Sequence, residues 1–314
     1  MKHTITSGHC KWNCDHMYFL RMRFVYSPWG RHAPPGAAAC DGLVPGARID
    51  LSHWSGNETP RDLKRDTSVE IAVAFARERG AHDVEVVTNN HFDADGVLAV
   101  WTLLRPEIAL PHERLIVAAA EAGDFDEWPS DERGLWLESA IGKLSQVGSD
   151  AAAYERVLAA LDELVPTIDR REDLWGDAHR ALLLSGEDLH TGAVRVERVG
   201  RIAIIVHERG ASELPGPWIS RSIDRDVDRV LLAFAADRKW TYRYELRRWS
   251  WADTVVRPNP GKTKRGPIRR TLGPEWIIKG RKGMSGLAYT SKPISADPRT
   301  VAGQLAVIEA AGVS

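Results

Sequence analysis

Residues 86–104, VVTNNHFDADGVLAVWTLL, pass from an apolar stretch through a polar turn into a second apolar stretch. Asp83–Thr88 (DVEVVT) has the length and β-branched content of a buried strand, and Gly96–Leu104 (GVLAVWTLL) reads as a helix. The turn between them sits where open parallel sheets bind their ligands, at the carboxyl end of a strand. It carries His91, Asp93 and Asp95 within five residues. A single Asp at this place is ordinarily a helix N-cap, and a single His a solvated loop residue. Three ligand-type side chains at alternate positions of one tight loop point instead to a divalent cation, because two crowded carboxylates need either a raised pKa or a counter-charge. Gly96 allows close backbone approach at the helix start.

Upstream, Ala37–Asp41 and Ala47–Leu51 are short apolar segments separated by a Gly-Leu-Val-Pro-Gly turn, and read as two strands. Thr67 and Glu70 form a T-x-x-E capping box. It opens a helix with an apolar face at Val69, Val73 and Ala76, and Gly80 is expected to stop it. Downstream, Leu115–Ala120 is apolar and short enough for another strand, and Arg133–Gly148, Ala151–Val165 and Leu174–Ser185 read as three helices. Ala193–His207, Arg229–Ala235 and Trp240–Trp249 form a second strand-rich region. Its last segment places Trp240, Tyr242, Tyr244 and Leu246 on one side and Thr241, Arg243, Glu245 and Arg247 on the other. Val256–Pro274 reads as a Pro/Gly/Lys/Arg loop. The expected class is α/β, a mostly parallel sheet with helices on both faces, a helical connector and a smaller C-terminal α/β domain. The expected divisions are a disordered extension at 1–22, a metal-binding domain at 23–130, the connector at 131–190 and a substrate-binding domain at 191–314.

The 314 residues are 43% hydrophobic and 27% charged, an ordinary globular composition that excludes collagen, coiled coil and wholesale disorder. No apolar run reaches membrane-spanning length, and the first twenty residues lack a signal-peptide core, so the expectation is a cytoplasmic protein without a membrane partner. Three cysteines, Cys10, Cys14 and Cys40, exclude a disulfide framework. Cys10, Cys14 and His16 lack a fourth ligand at finger spacing. The net charge is only -1, yet Arg238–Lys282 holds 14 basic residues against Glu245, Asp253 and Glu275, with Trp240, Trp249 and Trp251 among them. Basic and aromatic residues interleaved in this way suit a polyanion with stackable bases, so single-stranded nucleic acid is a candidate partner.

His91-x-Asp93-x-Asp95-Gly96 after an apolar strand resembles the first motif of the DHH phosphoesterases, the superfamily of RecJ exonucleases, oligoribonucleases, cyclic-dinucleotide phosphodiesterases and exopolyphosphatases. The resemblance implies a site for two Mn2+ (or Mg2+) ions on a parallel sheet, with a C-terminal domain closing over an anionic, phosphate-containing substrate. No Asp-His-His occurs in this chain. Asp41, followed by Ile49-Asp50-Leu51-Ser52-His53-Trp54 and by the segment from Asp66, resembles the family's second and third motifs in permuted order. This implies Asp41 and His53 as ligands, with Asp50 a poorer fit. Ala119–Trp128 (AAEAGDFDEW) resembles the stretch that supplies the fourth-motif ligand, with Asp124 the first choice and Asp126 the alternative. The implied metal set is Asp41, His53, His91, Asp93, Asp95 and Asp124, with His91, Asp93 and Asp95 at the catalytic centre. Arg229–Arg247 resembles the strand-turn-strand of the associated C-terminal domain, implying Arg243 and Arg247 at the substrate. Arg281, in the Gly-rich 280–286 segment, is a further candidate anion contact. The resulting expectation is a divalent-metal-dependent phosphoesterase acting on a phosphodiester or phosphoanhydride. The alternative is a nucleotide or nucleic-acid binding protein whose metal site has decayed.

Overall fold

The computed structural model describes residues 25–27, 32–78, 84–257, 265–278 and 286–311. The expected extension at 1–22, with Cys10, Cys14 and His16, lies outside the described residues, as do Gly80 and Arg281.

The first half is built on a parallel sheet of β1 (Val25–Tyr26), β2 (Ala37–Cys40), β3 (Ile49–Leu51) and β4 (Val86–Thr88), in the order β1-β4-β2-β3. Its central strand β2 is three alanines and a cysteine, all fully buried. Side chains this small let the covering helices approach the sheet closely. Helices α1 (Ser68–Glu78) and α2 (Ala94–Leu104) follow β3 and β4. The capping box at the start of α1 forms as expected: Thr67 N–H donates to Glu70 Oε2 at 2.9 Å, and Glu70 N–H to Thr67 Oγ1 at 3.2 Å. α2 has every residue from Ala94 to Leu103 buried, so it runs through the middle of the core.

The segment expected as a strand at Leu115–Ala120 is helical. After the short α3 (Pro106–Ala109), α4 spans Glu113–Phe125 and packs against α1, α2 and α5 (Arg133–Leu144). A helix buried on several sides shows an unbroken apolar run, and such a run cannot be told from a buried strand by period alone. The alanines at 118, 119, 120 and 122 favour the helix. Helices α6 (Asp150–Thr167) and α7 (Glu172–Leu184) complete this half, and the short α8 (Glu187–Thr191) leads out of it. Residues of α5, α6 and α7, among them Ile141, Tyr154, Leu161 and Trp175, belong to the same hydrophobic core as the sheet.

The second half holds a six-stranded sheet, β5 (Val194–Val199), β6 (Ile202–His207), β7 (Arg229–Ala236), β8 (Lys239–Leu246), β9 (Trp276–Ile278) and β10 (Gly286–Thr290), in the order β5-β6-β7-β8-β10-β9. Only β6 with β7 is parallel, across a crossover that contains α9 (Gly216–Ser222). The remaining pairs are antiparallel. β8 alternates as expected, with Tyr242 and Tyr244 buried. Part of the expected loop Val256–Pro274 is instead α10 (Arg265–Leu272), anchored by fully buried Ile268; Pro267 is tolerated in its first turn. α11 (Pro298–Ala310), capped by Asp297, closes this core. No described helix is long and apolar enough to cross a membrane.

The two halves meet where the chain leaving β8 returns to the first sheet. Trp249 and Ala252 pack on Phe125 at the end of α4, and Ala252 forms an isolated bridge with Trp54.

The position of α4 depends on Gly134, where an added Cβ would lie 2.5 Å from the backbone of Ala118. We expect Gly134→Ala to force α5 away from α4 and to lower the unfolding free energy by about 1–3 kcal/mol. Urea denaturation measures this, and an unchanged midpoint contradicts it.

Candidate metal centre

β2 ends at Cys40, and the next residue, Asp41, takes φ +64°. Left-handed backbone is uncommon outside glycine, although Asp tolerates it better than most residues. Asp41 N–H still donates to Leu51 O at 2.9 Å, and its carboxylate is fully buried. The following Gly42 is obligatory: a Cβ there would meet Asn90 Oδ1 at 2.0 Å, and Gly42 N–H donates to Asn89 Oδ1 at 3.0 Å.

Around Asp41 the structure gathers residues from three other places. His53 follows β3, and its Nε2 lies 3.4 Å from Asp41 Oδ1, 3.5 Å from Asp95 Oδ2 and 3.2 Å from Asp124 Oδ2. His91 Nε2 lies 2.9 Å from Asp41 Oδ2 and 2.7 Å from Asp93 Oδ2. Two groups therefore form, Asp41-His53-Asp95-Asp124 and Asp41-His91-Asp93, and within each the donor atoms all lie within 4.8 Å of one another. Asp41 belongs to both.

The two imidazoles are held in the same way. A carbonyl can only accept, so the 2.6 Å contact of His53 Nδ1 with Asp66 O places a hydrogen on Nδ1 and turns Nε2, the nitrogen that could ligate an ion, toward the carboxylates. His91 Nδ1 meets Asn90 Oδ1 at 2.8 Å, and the Asn90 amide is oriented by its Nδ2 donating to Leu43 O. Such outer partners are what metal-binding histidines require.

The carboxylates serve two purposes each. Asp93 is the N-cap of α2, accepting from Gly96 N–H at 2.8 Å through Oδ1 while Oδ2 faces His91. Asp95 accepts from Ser68 N–H at 2.7 Å and Val69 N–H at 2.8 Å, so a side chain of α2 caps the N-terminus of α1. Ser68 Oγ donates to Asp41 Oδ1 at 2.9 Å, and Trp54 Nε1 donates to the same oxygen at 3.2 Å. Asp124 comes from the last turn of α4 rather than from the end of a strand. Asp126, its alternative, takes φ +50° beyond the helix and pairs with Arg248 at 2.6 Å. Asp50 points elsewhere, accepting from Glu58 N–H at 3.0 Å.

Buried negative charge has predictable consequences here. Burial, reinforced by the charge of Asp93, raises Asp124 to about 7. Burial and the charge of Asp124 raise Asp95 as well. Burial alone would lower both histidines, but Asp41 and Asp93 carry His91 up to about 10, and Asp124 and Asp41 hold His53 well above its ordinary value. Burial is outweighed in the other direction at Asp41, which His53 and His91 hold below the usual carboxylate range. Protons thus stand in for cations. Even so, His53 Nε2, Asp41 Oδ2 and Asp124 Oδ2 are buried without a hydrogen-bond partner of acceptable geometry. Three orphaned ligand atoms in a set of carboxylates and imidazoles fit a divalent cation.

Residues 22–273 match the family of unknown function DUF6687. The chain belongs to that family. No curated protein matches it. Among solved structures, the chain is similar to a pGpG-specific phosphodiesterase, PggH from Vibrio cholerae, at 10% identity and a TM-score of 0.41, with 88% of this chain and 86% of that chain covered.

The sequence alone did not mark Asp66, Ser68, Asn90, Trp54, Trp251 or Arg257 as parts of this site. Trp251 packs edge-on against His53 with ring centroids 4.9 Å apart. Asp66 was visible in front of the capping box, but nothing local tells that its carbonyl would meet an imidazole. Trp251 stood out only as one of the tryptophans of the basic stretch, and Arg257 as one of its arginines; neither carries a local signal for this site.

The raised values fix the direction of the pH dependence. A raised carboxylate and a raised imidazole both stabilise the fold fully below their unfolded pKa values and lose that contribution as pH rises through the folded ones. For Asp124 the window runs from its ordinary 3.8 to about 7, and for His91 from 6.5 to about 10. Chelated protein should therefore lose Tm as pH rises from 5 to 8. Mn2+ competes with the same protons, so the Tm increment on adding Mn2+ should be larger at pH 8 than at pH 6. Scanning calorimetry with and without chelator tests both; an increment that shrinks with rising pH contradicts the assignment.

Proposed function

We propose that this chain is a divalent-metal-dependent phosphoesterase that cleaves a phosphodiester or phosphoanhydride in a nucleotide-like substrate, with the DHH motifs in permuted order. The observation that carries the reading is the sharing of Asp41 between two adjoining ligand groups. A carboxylate that turns one oxygen to each group could help to hold two divalent ions side by side, and such ions would together neutralise a phosphoryl group. Four carboxylates also supply the negative charge that two divalent cations would balance.

Bound there, divalent ions would supply the charge that lowers the pKa of a water and neutralises a phosphoryl group. The chain's own groups do the rest. Asp66 O and Asn90 Oδ1 keep each imidazole with Nε2 inward. Asp93, with a third of its side chain exposed, and His91 form the side open to substrate, whereas Asp95 and His53 are closed from solvent. Trp54, Trp251 and Phe125 wall the buried side and keep bulk water from it.

Beyond Phe125 lies a cavity of about 400 Å³ whose lining includes Ser220, Arg243, Arg247 and Arg248. Arg243 is engaged by Glu213, and Arg248 by Asp126. Arg247 differs. It is 7% exposed, Nη2 donates to Ser220 Oγ at 3.1 Å, and Nη1 is buried with no hydrogen-bond partner. Burial lowers it to about 10 against the pull of Glu127, so it stays cationic at neutral pH. A buried guanidinium with a spare donor suits a phosphate oxygen. Of the two described arginines expected at the substrate, Arg243 and Arg247, we assign Arg247 to it.

The test is a panel of linear dinucleotides, cyclic dinucleotides, short RNA, single-stranded DNA and polyphosphate, each with Mn2+ and with chelator. Chelator-sensitive release of product from one class is expected. Asp93→Asn should abolish it while leaving the fold intact; activity equal to the wild type would show that the motif has been misread. Arg247→Met should raise KM by roughly tenfold or more, since a charge-assisted hydrogen bond contributes about 1.5–3 kcal/mol. An unchanged KM removes Arg247 from the substrate site.

A further inference from the structure

Trp251–Arg257 belongs by chain order to the second half, yet its contacts reach the neighbours of three metal-site residues. Asp253 N–H donates to His53 O at 2.6 Å, and Trp251 lies against the His53 ring. Ala252 bridges to Trp54, whose indole N–H donates to Asp41. The strongest connection is ionic. Arg257 pairs with Asp66 at 2.8 Å, with Glu121 at 2.6 Å and with Glu127 at 2.6 Å, the last two on either side of Asp124 at the end of α4. The Asp66 carboxylate also accepts from Val256 N–H at 2.8 Å and Arg257 N–H at 3.0 Å. The same residue's carbonyl orients His53. Asp66 therefore joins the segment with its side chain and a ligand imidazole with its main chain.

We propose that Trp251–Arg257 is a strap whose docking sets the geometry of the Asp41-His53-Asp95-Asp124 position, with Arg257 and Asp66 as positioning residues. The proposal rests on the metal reading above and adds to it that the second half of the chain completes the ion site rather than only covering substrate. The strap holds His53 from both its carbonyl and its ring, and it holds the end of α4 through one guanidinium. Releasing Arg257 frees the His53 imidazole and the Asp124 carboxylate together. By linkage, an ion that binds better when the strap is docked must in turn favour the docked strap by the same factor.

The experiment uses the full chain and has two arms. Calorimetric titration with Mn2+ and the absorption spectrum of bound Co2+ are compared for wild type, Arg257→Met and Arg257→Lys. Removing outer partners of metal ligands typically lowers affinity by 10–100-fold, so Arg257→Met should weaken Mn2+ by roughly that factor and shift the Co2+ bands, with Arg257→Lys in between. In the second arm, hydrogen exchange on the wild type with chelator and with Mn2+ should show slower exchange at the Asp253, Val256 and Arg257 amides when the ion is present. Wild-type affinity and spectrum in a folded Arg257→Met overturn the proposal. If that variant does not fold, unchanged exchange at the three amides in the wild type overturns it. A wild type that binds neither Mn2+ nor Co2+ removes the metal reading itself and the strap proposal with it, an outcome distinct from ions binding normally without the strap.

Discussion

Negative charge packed away from water is the constraint around which the first half of this protein is arranged. Asp41 and Asp95 are fully buried and Asp124 nearly so, all within reach of the same imidazole nitrogen. Carboxyl groups at such depth are tolerated only when paired, protonated or bound to a cation. The surrounding groups supply donors wherever geometry allows: the backbone of Ser68 and Val69 to Asp95, and the Ser68 hydroxyl and Trp54 indole to Asp41. At the site they leave unsatisfied His53 Nε2 and Asp124 Oδ2, which lie 3.2 Å apart, and Asp41 Oδ2 on the side of His91.

Because the same carboxylates cap helices, the site and the fold share their supports. An N-cap contributes about 1 kcal/mol to a helix, and here Asp93 caps its own helix while Asp95 caps its neighbour. The start of α1 is thereby fixed against α2 by a group that also faces the ion position. A change in the charge of Asp95 is felt at once by the α1 N-terminus. The charge state of the candidate site and the local stability of α1 therefore meet in this one side chain.

Much of this was legible in the sequence where the signal was local. The strand-turn-helix at 86–104 fixes the register of Asp93 and Asp95, since residues two apart at a helix start diverge enough for one to cap its own helix and the other to reach the next. Asp41 and His53 were legible through resemblance to a family pattern, not through periodicity. Asp124 was found while its element was misread: α4 is buried on several sides, which erases the 3.6-residue period that would have named it a helix. The mixed direction of the second sheet was also hidden, because an apolar strand such as β6 does not encode whether its neighbour runs parallel or antiparallel. Asp66 and Arg257 were invisible for a different reason. Their partners are 191 positions apart, and an ion pair leaves no trace in either local sequence.

Excess charge read from a sequence window is a statement about composition, and packing decides how much of it acts on solvent. Between Arg238 and Lys282 the chain has eleven more basic than acidic residues, a surplus that would suit a long polyanion if it were spread over a surface. Part of it is not presented that way, although Arg238, Arg269 and Arg270 are exposed. Arg243, Arg248 and Arg257 are neutralised by acids from elsewhere in the chain, Glu213, Asp126, and the trio of Asp66, Glu121 and Glu127. Field lines that end on a carboxylate about 3 Å away contribute little at the range over which a polymer is steered. Arg247 keeps a spare donor, and it is buried beside a cavity rather than displayed. A local, short-range anion contact at one guanidinium is therefore the arrangement these side chains favour. An arginine tied to three acids of the first half, as Arg257 is, adds little to the field that would attract a strand of nucleic acid.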